Sequence, residues 1–451
     1  MNTQFSSSIA GQPTERPTRY RYVVLTYLAA LTFILYLDRV CISQAGPEIQ
    51  REMELNETEL GYVFAAFTLS YGLCMSAAGR LGDRFGSRGV LVAIVTWWSV
   101  FTALTGASTG FLMLLAVRFI FGAGEAGALP NCARILSRWF PPESRGFPQG
   151  LLNTSALIGG AFAPTAAAFT MQWIGWRWMF VVFGLVGLVW GAVFWYGFRD
   201  DPAKHPRVNS AERDYIERGH VDRTEIEEQP RVPWRLVLRS RNIWLMGFII
   251  TCGSFASYLY MFWYPKYLQS GRGVGKEESG VLASFVLAGG ALGSLAGGFL
   301  SDYVTRRTGG SRRSRSLIGA VTLSLAGLAL WVSISRDRAL WASLVTALAF
   351  FLSMLPIASW WGAVSDISGK HVATLFGLMN SMGIVGGIGS QIFFGRMADE
   401  NAAMGLSRRA QWDPAFYYYV AVLFLGAIAW LFVDSRKSAV EEPVVKTERI
   451  D

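Results

Sequence analysis

The side chains that could do chemistry in this sequence are the few charges that interrupt long apolar runs. Tyr36-Leu37-Asp38-Arg39 falls at the end of the first run, and Arg118 and Glu125 lie inside a run over 109–131. Tyr36 and Arg39 are three residues apart, and Arg118 and Glu125 are seven apart, so each pair shares one helix face. An arginine there offers a planar fork for a carboxylate. An embedded carboxyl can carry a proton, because burial favours its neutral form while a neighbouring arginine opposes it. Anion binding coupled to proton carriage is one reading. The other is a charge-paired cluster that only holds helices together, since two arginines and two acids sum to zero. Lys266, beside Pro265, lies near the end of another run and is expected to snorkel. The sequence has no CxxC, no HExxH and no nucleophile–base pairing. No metal, cofactor, disulfide framework or enzymatic activity is expected.

The elements that must hold these charges are membrane spans. The chain has 451 residues, 52% hydrophobic and only 16% charged. Soluble domains carry about 25% charge, so a soluble enzyme and a disordered chain are both disfavoured. Twelve apolar runs approach or exceed the length that spans a bilayer: 22–42, 57–79, 89–107, 109–131, 146–170, 177–198, 242–268, 279–301, 316–334, 339–362, 372–395 and 414–433. The net charge of +9 would suit a nucleic-acid partner. Its distribution says otherwise. Of 41 Lys and Arg, 29 fall in the tails and in alternate loops, 9 in the other loops, and Arg39, Arg118 and Lys266 inside runs. By the positive-inside rule, this predicts a multi-pass inner-membrane protein with both termini cytoplasmic and no nucleic-acid partner. The first 21 residues are polar, without a signal-peptide core, and read as a cytoplasmic tail.

The chain also repeats itself. ELGYVFAAFTLSYGLCMSAAGRLGD (59–83) aligns with ESGVLASFVLAGGALGSLAGGFLSD (278–302), matching Glu59, Gly61, Gly79 and Asp83 to Glu278, Gly280, Gly298 and Asp302. GLLNTSALIGG (150–160) aligns with GLMNSMGIVGG (377–387), matching Asn153 to Asn380. Chance glycine matches do not explain the matched Asp, Glu and Asn. Six spans followed by six in the same order form a parallel repeat. The expected organisation is a tail over 1–21, a six-helix bundle over 22–198, a hydrophilic cytoplasmic linker over 199–241, a second six-helix bundle over 242–433 and a tail over 434–451. The linker is expected to hold a short amphipathic helix near Ser210–Arg218.

Gly79-Arg-Leu-Gly-Asp83-Arg84-Phe-Gly86-Ser-Arg88 resembles the loop 2–3 motif of the major facilitator superfamily, and Gly298, Asp302, Arg306 and Arg307 form a weaker copy. The resemblance implies an all-α membrane protein of twelve helices in two six-helix bundles. It also implies a conformational latch built from Gly79, Asp83, Arg84, Arg88 and Asp302, favouring the outward-open state. On the residues alone, a solvated basic turn that sets topology explains the loop equally well.

Tyr36-Leu-Asp38-Arg39, Arg118-Phe-Ile-Phe-Gly-Ala-Gly-Glu125-Ala and Arg138-Trp-Phe-Pro-Pro-Glu-Ser-Arg145 together resemble the anion:cation symporter family, over nearly the whole chain. That family includes bacterial galactonate, glucarate and hexuronate transporters and the vesicular glutamate and sialic acid carriers. The resemblance implies that Arg39 binds a substrate carboxylate and that Asp38 and Glu125 carry protons, with Arg118 tuning Glu125. It assigns Tyr36, Tyr71, Asn153, Trp360 and Asn380 to the substrate site, with Trp361 an alternative to Trp360. The second half supplies no arginine to match Arg39, which suggests a monoanion or an asymmetric site. The implied function is proton-coupled import of a sugar acid, hexuronate or aldonate, by a monomer in the lipid bilayer using alternating access. An aromatic acid, a small carboxylate or phosphate, with H+ or Na+, is the alternative, for which Tyr258, Tyr260, Trp263 and Trp360 leave room. A non-transporting membrane sensor is a third reading, without a fused signalling domain to support it.

Overall fold

A bilayer offers no water to backbone N–H and C=O groups, so apolar spans of this kind satisfy them within helices. The computed structural model describes residues 16–218, 232–308, 312–368 and 371–434, and the architecture is all-α. The expected tails up to residue 15 and from 435, and linker residues 219–231, lie outside the described residues. The chain opens with α1 (Tyr20–Met53), α2 (Glu57–Phe85) and α3 (Ser87–Ala107). Next come α4 (Phe111–Glu125) and α5 (Ala128–Trp139), one stretch broken at Ala126-Gly127. The long helix α6 (Gly146–Gly197) turns at Gly175, whose φ of 75° only glycine adopts readily. Two short helices follow, α7 (Ser210–Glu217) and α8 (Trp234–Arg239). The helix α9 (Arg241–Tyr258) continues through π-helical turns on either side of α10 (Tyr264–Lys266) to Gly271. Then come α11 (Lys276–Thr308), α12 (Arg312–Ile334), α13 (Ala339–Met354), α14 (Ile357–Ser368), α15 (Val372–Ala403) and α16 (Arg409–Leu431). The break between α13 and α14 falls at Leu355-Pro356, the counterpart of the break after Glu125.

Among the described residues, nine helical stretches are long and apolar enough to cross a bilayer. The protein is therefore a multi-span membrane protein. Its helix pairings recur along the chain. α1 packs on α6, α2 on α4, and α3 on α6; later, α9 packs on α15, α11 on α13, and α12 on α16.

Two further pairings, α2 with α15 and α6 with α11, join residues before 200 to residues after 240. The α2–α15 approach is close. A Cβ at Gly61 would sit 2.6 Å from the Gln391 carbonyl oxygen, and one at Gly395 would sit 2.3 Å from that of Glu57. Small residues of this kind let membrane helices meet backbone to backbone. Polar contacts gather at the end where α1 finishes and α2 begins. Asp399 accepts hydrogen bonds from the Glu57 and Thr58 amides at 3.1 and 2.8 Å. Gln44 Nε2 donates to the Lys276 carbonyl at 2.8 Å, and Lys276 pairs with Glu48.

Lys266 corrects an expectation. It does not snorkel: it is 3% exposed, and its Nζ lies 2.9 Å from Glu57 Oε2. A partner 209 residues earlier in the chain lets the ammonium stay inside, where a lone lysine would reach for water.

At the opposite end, the expected linker helix is present as α7. Its Glu212 is fully buried and accepts from the Tyr20 and Arg21 amides at 2.9 and 3.1 Å, from Arg21 Nη1 at 3.1 Å and from the Thr18 hydroxyl. A carboxylate at the start of α1 also meets the positive end of that helix.

Candidate functional site

The charges singled out in the sequence converge from α1 and α4. Arg39 extends from α1 to Glu125 at the end of α4. Its Nε donates to Glu125 Oε1 at 2.9 Å, and its Nη2 pairs with the same oxygen. The guanidinium is also caged by aromatic rings. The Arg39 Cζ lies 4.8 Å from the Tyr36 centroid, 4.7 Å from Tyr71 and 5.1 Å from Phe67. Aromatic faces stabilise a desolvated guanidinium without using its N–H donors. Tyr36 stands one turn before Arg39, as their spacing predicts, while Tyr71 and Phe67 stand one turn apart on α2.

Arg118 and Asp38 lie behind this pair. Both are 0% exposed. The Arg118 Cζ lies 4.4 Å from the Phe121 centroid and 5.3 Å from Phe67. Phe67 thus meets both arginines. Phe67 is a site residue beyond those expected from the sequence, and its position one turn before Tyr71 is the signal that marks it. Among the described residues, the three Arg118 nitrogens, both Asp38 oxygens and Glu125 Oε2 find no hydrogen-bond partner. A buried charge without hydrogen bonds is expensive. The hydrogen-bonded partner of Glu125 is Arg39, while Arg118 acts on Glu125 through its charge and not through a hydrogen bond.

The remaining expected site residues divide. Trp360 is buried, and its Nε1 donates to the Met246 carbonyl at 3.0 Å, while Trp361 is 54% exposed. Trp360 is committed to helix packing, and Trp361 has the freer face. Asn380 is half-buried and Asn153 exposed. Tyr258 is half-buried, with its ring against Gly387 and stacked on Phe262 at 5.4 Å. Tyr260 and Trp263, offered as room for an aromatic acid, are fully buried; Trp263 donates to the Gln391 carbonyl at 3.1 Å. Thr68 Oγ1 donates to Gln391 Oε1 at 3.0 Å, three residues from Tyr71 and across the α2–α15 seam.

The expected latch residues lie elsewhere: Gly79, Asp83 and Arg84 at the end of α2, Arg88 at the start of α3 and Asp302 in α11. Arg84 is exposed over Phe85. Arg88 Nε donates to the Trp195 carbonyl at 3.0 Å, and its guanidinium stacks on the Trp195 ring at 4.2 Å. Asp200 caps α3 by accepting from the Ser87 and Arg88 amides at 2.8 and 3.0 Å. The surroundings of Gly79 and the side chains of Asp83 and Asp302 lie outside what the structure describes.

Comparison with known proteins bears on this arrangement. A family model described as Major Facilitator Superfamily matches residues 28–391. A protein of Cupriavidus necator named "Probable sulfoacetate transporter" is 34% identical over 417 residues, covering 92% of this chain and 94% of the relative. A protein of Bacillus subtilis named "Probable galactarate/D-glucarate transporter" is 31% identical over 397 residues, covering 85% and 87%. A crystal structure of a bacterial homologue of the human lysosomal transporter Spinster superposes with a TM-score of 0.77 at 19% identity, covering 93% of this chain and 97% of the other.

Proposed function

This chain belongs to the Major Facilitator Superfamily, and from that premise we propose that it is a proton-coupled symporter importing an organic anion by alternating access. The most favoured substrate is a sugar acid, hexuronate or aldonate. The observation that carries this reading is Arg39: a guanidinium within a span, caged by Tyr36 and Tyr71 and bound to Glu125. Glu125 and a substrate carboxylate are alternative partners for the same fork. A proton on Glu125 releases Arg39 for the substrate, and loss of that proton returns Arg39 to Glu125. Proton and substrate are thereby made to travel together. Asp38 is the second proton carrier, and Arg118 sets the charge balance behind both.

The architecture we propose is twelve spans in two six-helix bundles, 22–198 and 242–433, joined by the linker. Among the described residues, nine stretches meet the length and apolarity of a span, and one of them, the stretch containing α6, holds two helices joined at Gly175. α2 and α15, 29 and 32 residues long, are also long enough to span and complete the twelve in this reading. The loop charges support cytoplasmic termini. Tyr36, Tyr71, Asn153, Asn380 and a tryptophan of the 360–361 pair complete the substrate site in this reading, with Trp361 the better exposed. The loop with Gly79, Asp83, Arg84 and Arg88, together with Asp302, acts as the inner latch.

One observation favours a smaller acid as a second reading. The relative at 34% identity is named for sulfoacetate. An uptake panel decides between them: hexuronates, aldonates, aldarates, sulfoacetate and an aromatic acid, each offered to wild type and Arg39→Ala in membrane vesicles. Removing a charge-assisted bond worth about 1.5–3 kcal/mol should weaken uptake of the active acid about 10- to 100-fold. Wild-type uptake by Arg39→Ala would overturn the carboxylate assignment.

A further inference from the structure

We infer that Lys266, Glu57 and Asp399 form the latch that closes the outer end of the transport pathway and parts in each cycle. The inference rests on the alternating-access reading and assigns three residues that reading leaves without a role. Lys266 and Asp399 come from the second half of the chain, Glu57 from the first. The Lys266 ammonium lies 2.9 Å from Glu57 Oε2, and Gln50 Nε2 holds the same oxygen at 3.0 Å. Asp399 accepts from the amides that open α2 and from Thr58 Oγ1 at 2.5 Å, so a carboxylate of one half caps a helix of the other.

Two features mark these contacts as reversible rather than as fixed glue. First, α2 does not need Asp399 to begin. Asn56 Oδ1 accepts from the Glu59 amide at 2.8 Å, and Glu59 Oε2 accepts from the Asn56 amide at 2.9 Å, which is a complete capping box within α2 itself. Asp399 can leave and the helix end stays capped. Second, a buried ion pair gains little net free energy, because its attraction offsets the desolvation of both ions. When the halves separate, both charges regain water and opening is nearly balanced. An apolar seal of the same size would expose its whole area. Lys266 also sits between two π-helical turns, a geometry frequent at functional positions.

Below the latch, the seam continues through Gly61 against the Gln391 backbone and through the Thr68–Gln391 hydrogen bond. Thr68 is 1% exposed, so a reporter there senses opening. The test uses Thr68→Cys in full-length protein whose four native cysteines are replaced, labelled from outside intact cells with a membrane-impermeant maleimide. Lys266→Met and Asp399→Asn should each raise the labelling rate about tenfold, the loss expected for one charged contact. The swap Lys266→Glu with Glu57→Lys should return it to within about twofold of the unswapped reporter protein. Unchanged labelling in both single variants overturns the latch. A swap that labels as fast as the singles overturns the ion-pair part, since loosened folding would then explain them. No substrate enters this assay. Failure of every acid in the uptake panel therefore leaves the latch result standing, and normal uptake with unchanged labelling removes the latch alone.

Discussion

A guanidinium inside a membrane span persists when it has a partner and a task. Arg39 has its partner in Glu125, and under the proposed coupling that partner is the residue to test. With Glu125→Gln, the fork keeps an amide neighbour of the same shape that cannot change charge. We expect substrate exchange across the membrane to persist within a few-fold of wild type. Accumulation driven by a proton gradient should fall about tenfold or more, because the carboxylate that competes for Arg39 is gone. Counterflow and gradient-driven uptake in proteoliposomes separate the two, and unchanged accumulation would remove Glu125 from the coupling role. The charged residues of this cluster were legible in the sequence, since ionisable side chains in apolar runs are rare and costly. Their pairing was not. Spacing tells which residues share a face of one helix, as Arg118 and Glu125 do. It is silent on which helices face each other, and α1 meeting the end of α4 gives Glu125 to Arg39. Lys266 was misread for the same reason: its counter-charge lies on α2.

The short helix α7 tests the same distinction at the scale of an element. Its existence was legible, because Ser210–Glu217 carries an amphipathic pattern between charged stretches. Its clasp on α1 was not, because nothing local to 210–217 names Thr18, Tyr20 and Arg21 as partners. Glu212→Ala leaves the buried Arg21 guanidinium and two amides without their acceptor. The expected loss of stability is about 3–5 kcal/mol, seen as a lower melting temperature of the detergent-purified protein. Acid should loosen the same region. His205 stacks on Tyr20 at 4.0 Å, and burial holds it below the usual imidazole range. Its Nδ1 accepts from the Arg207 amide at 3.2 Å and its Nε2 faces the Gly197 carbonyl at 3.2 Å, an arrangement that suits the neutral ring with its proton on Nε2. A histidine with a depressed folded pKa stabilises above its unfolded value of about 6.5, and that contribution is lost as pH falls below it. Protease cleavage of the linker should therefore quicken between pH 7.5 and 5. Cleavage that keeps one rate over that range, once corrected for protease activity, would leave His205 out of the clasp.

At the scale of the whole molecule, the question is how much charge moves per cycle. Arg39, Arg118, Asp38 and Glu125 form a cluster of zero net charge when both acids are ionised. A monoanion entering beside Arg39 makes it negative by one. One proton restores neutrality, and two leave the loaded carrier positive by one. Two acids are available to take them, and both are buried. Two protons per monoanion carry one positive charge inward, which an inside-negative membrane drives with about 2.3 kcal/mol per 100 mV. One proton per monoanion would leave uptake indifferent to the potential. We therefore expect an inward current when the active acid is added outside to a supported membrane or a voltage-clamped cell. It should grow as the outer pH falls. Asp38→Asn removes one carrier, so its uptake should continue at a reduced rate with the current close to zero. A silent wild type that still accumulates the acid would rule out the second proton, and an outward current would rule out this stoichiometry for a monoanion altogether.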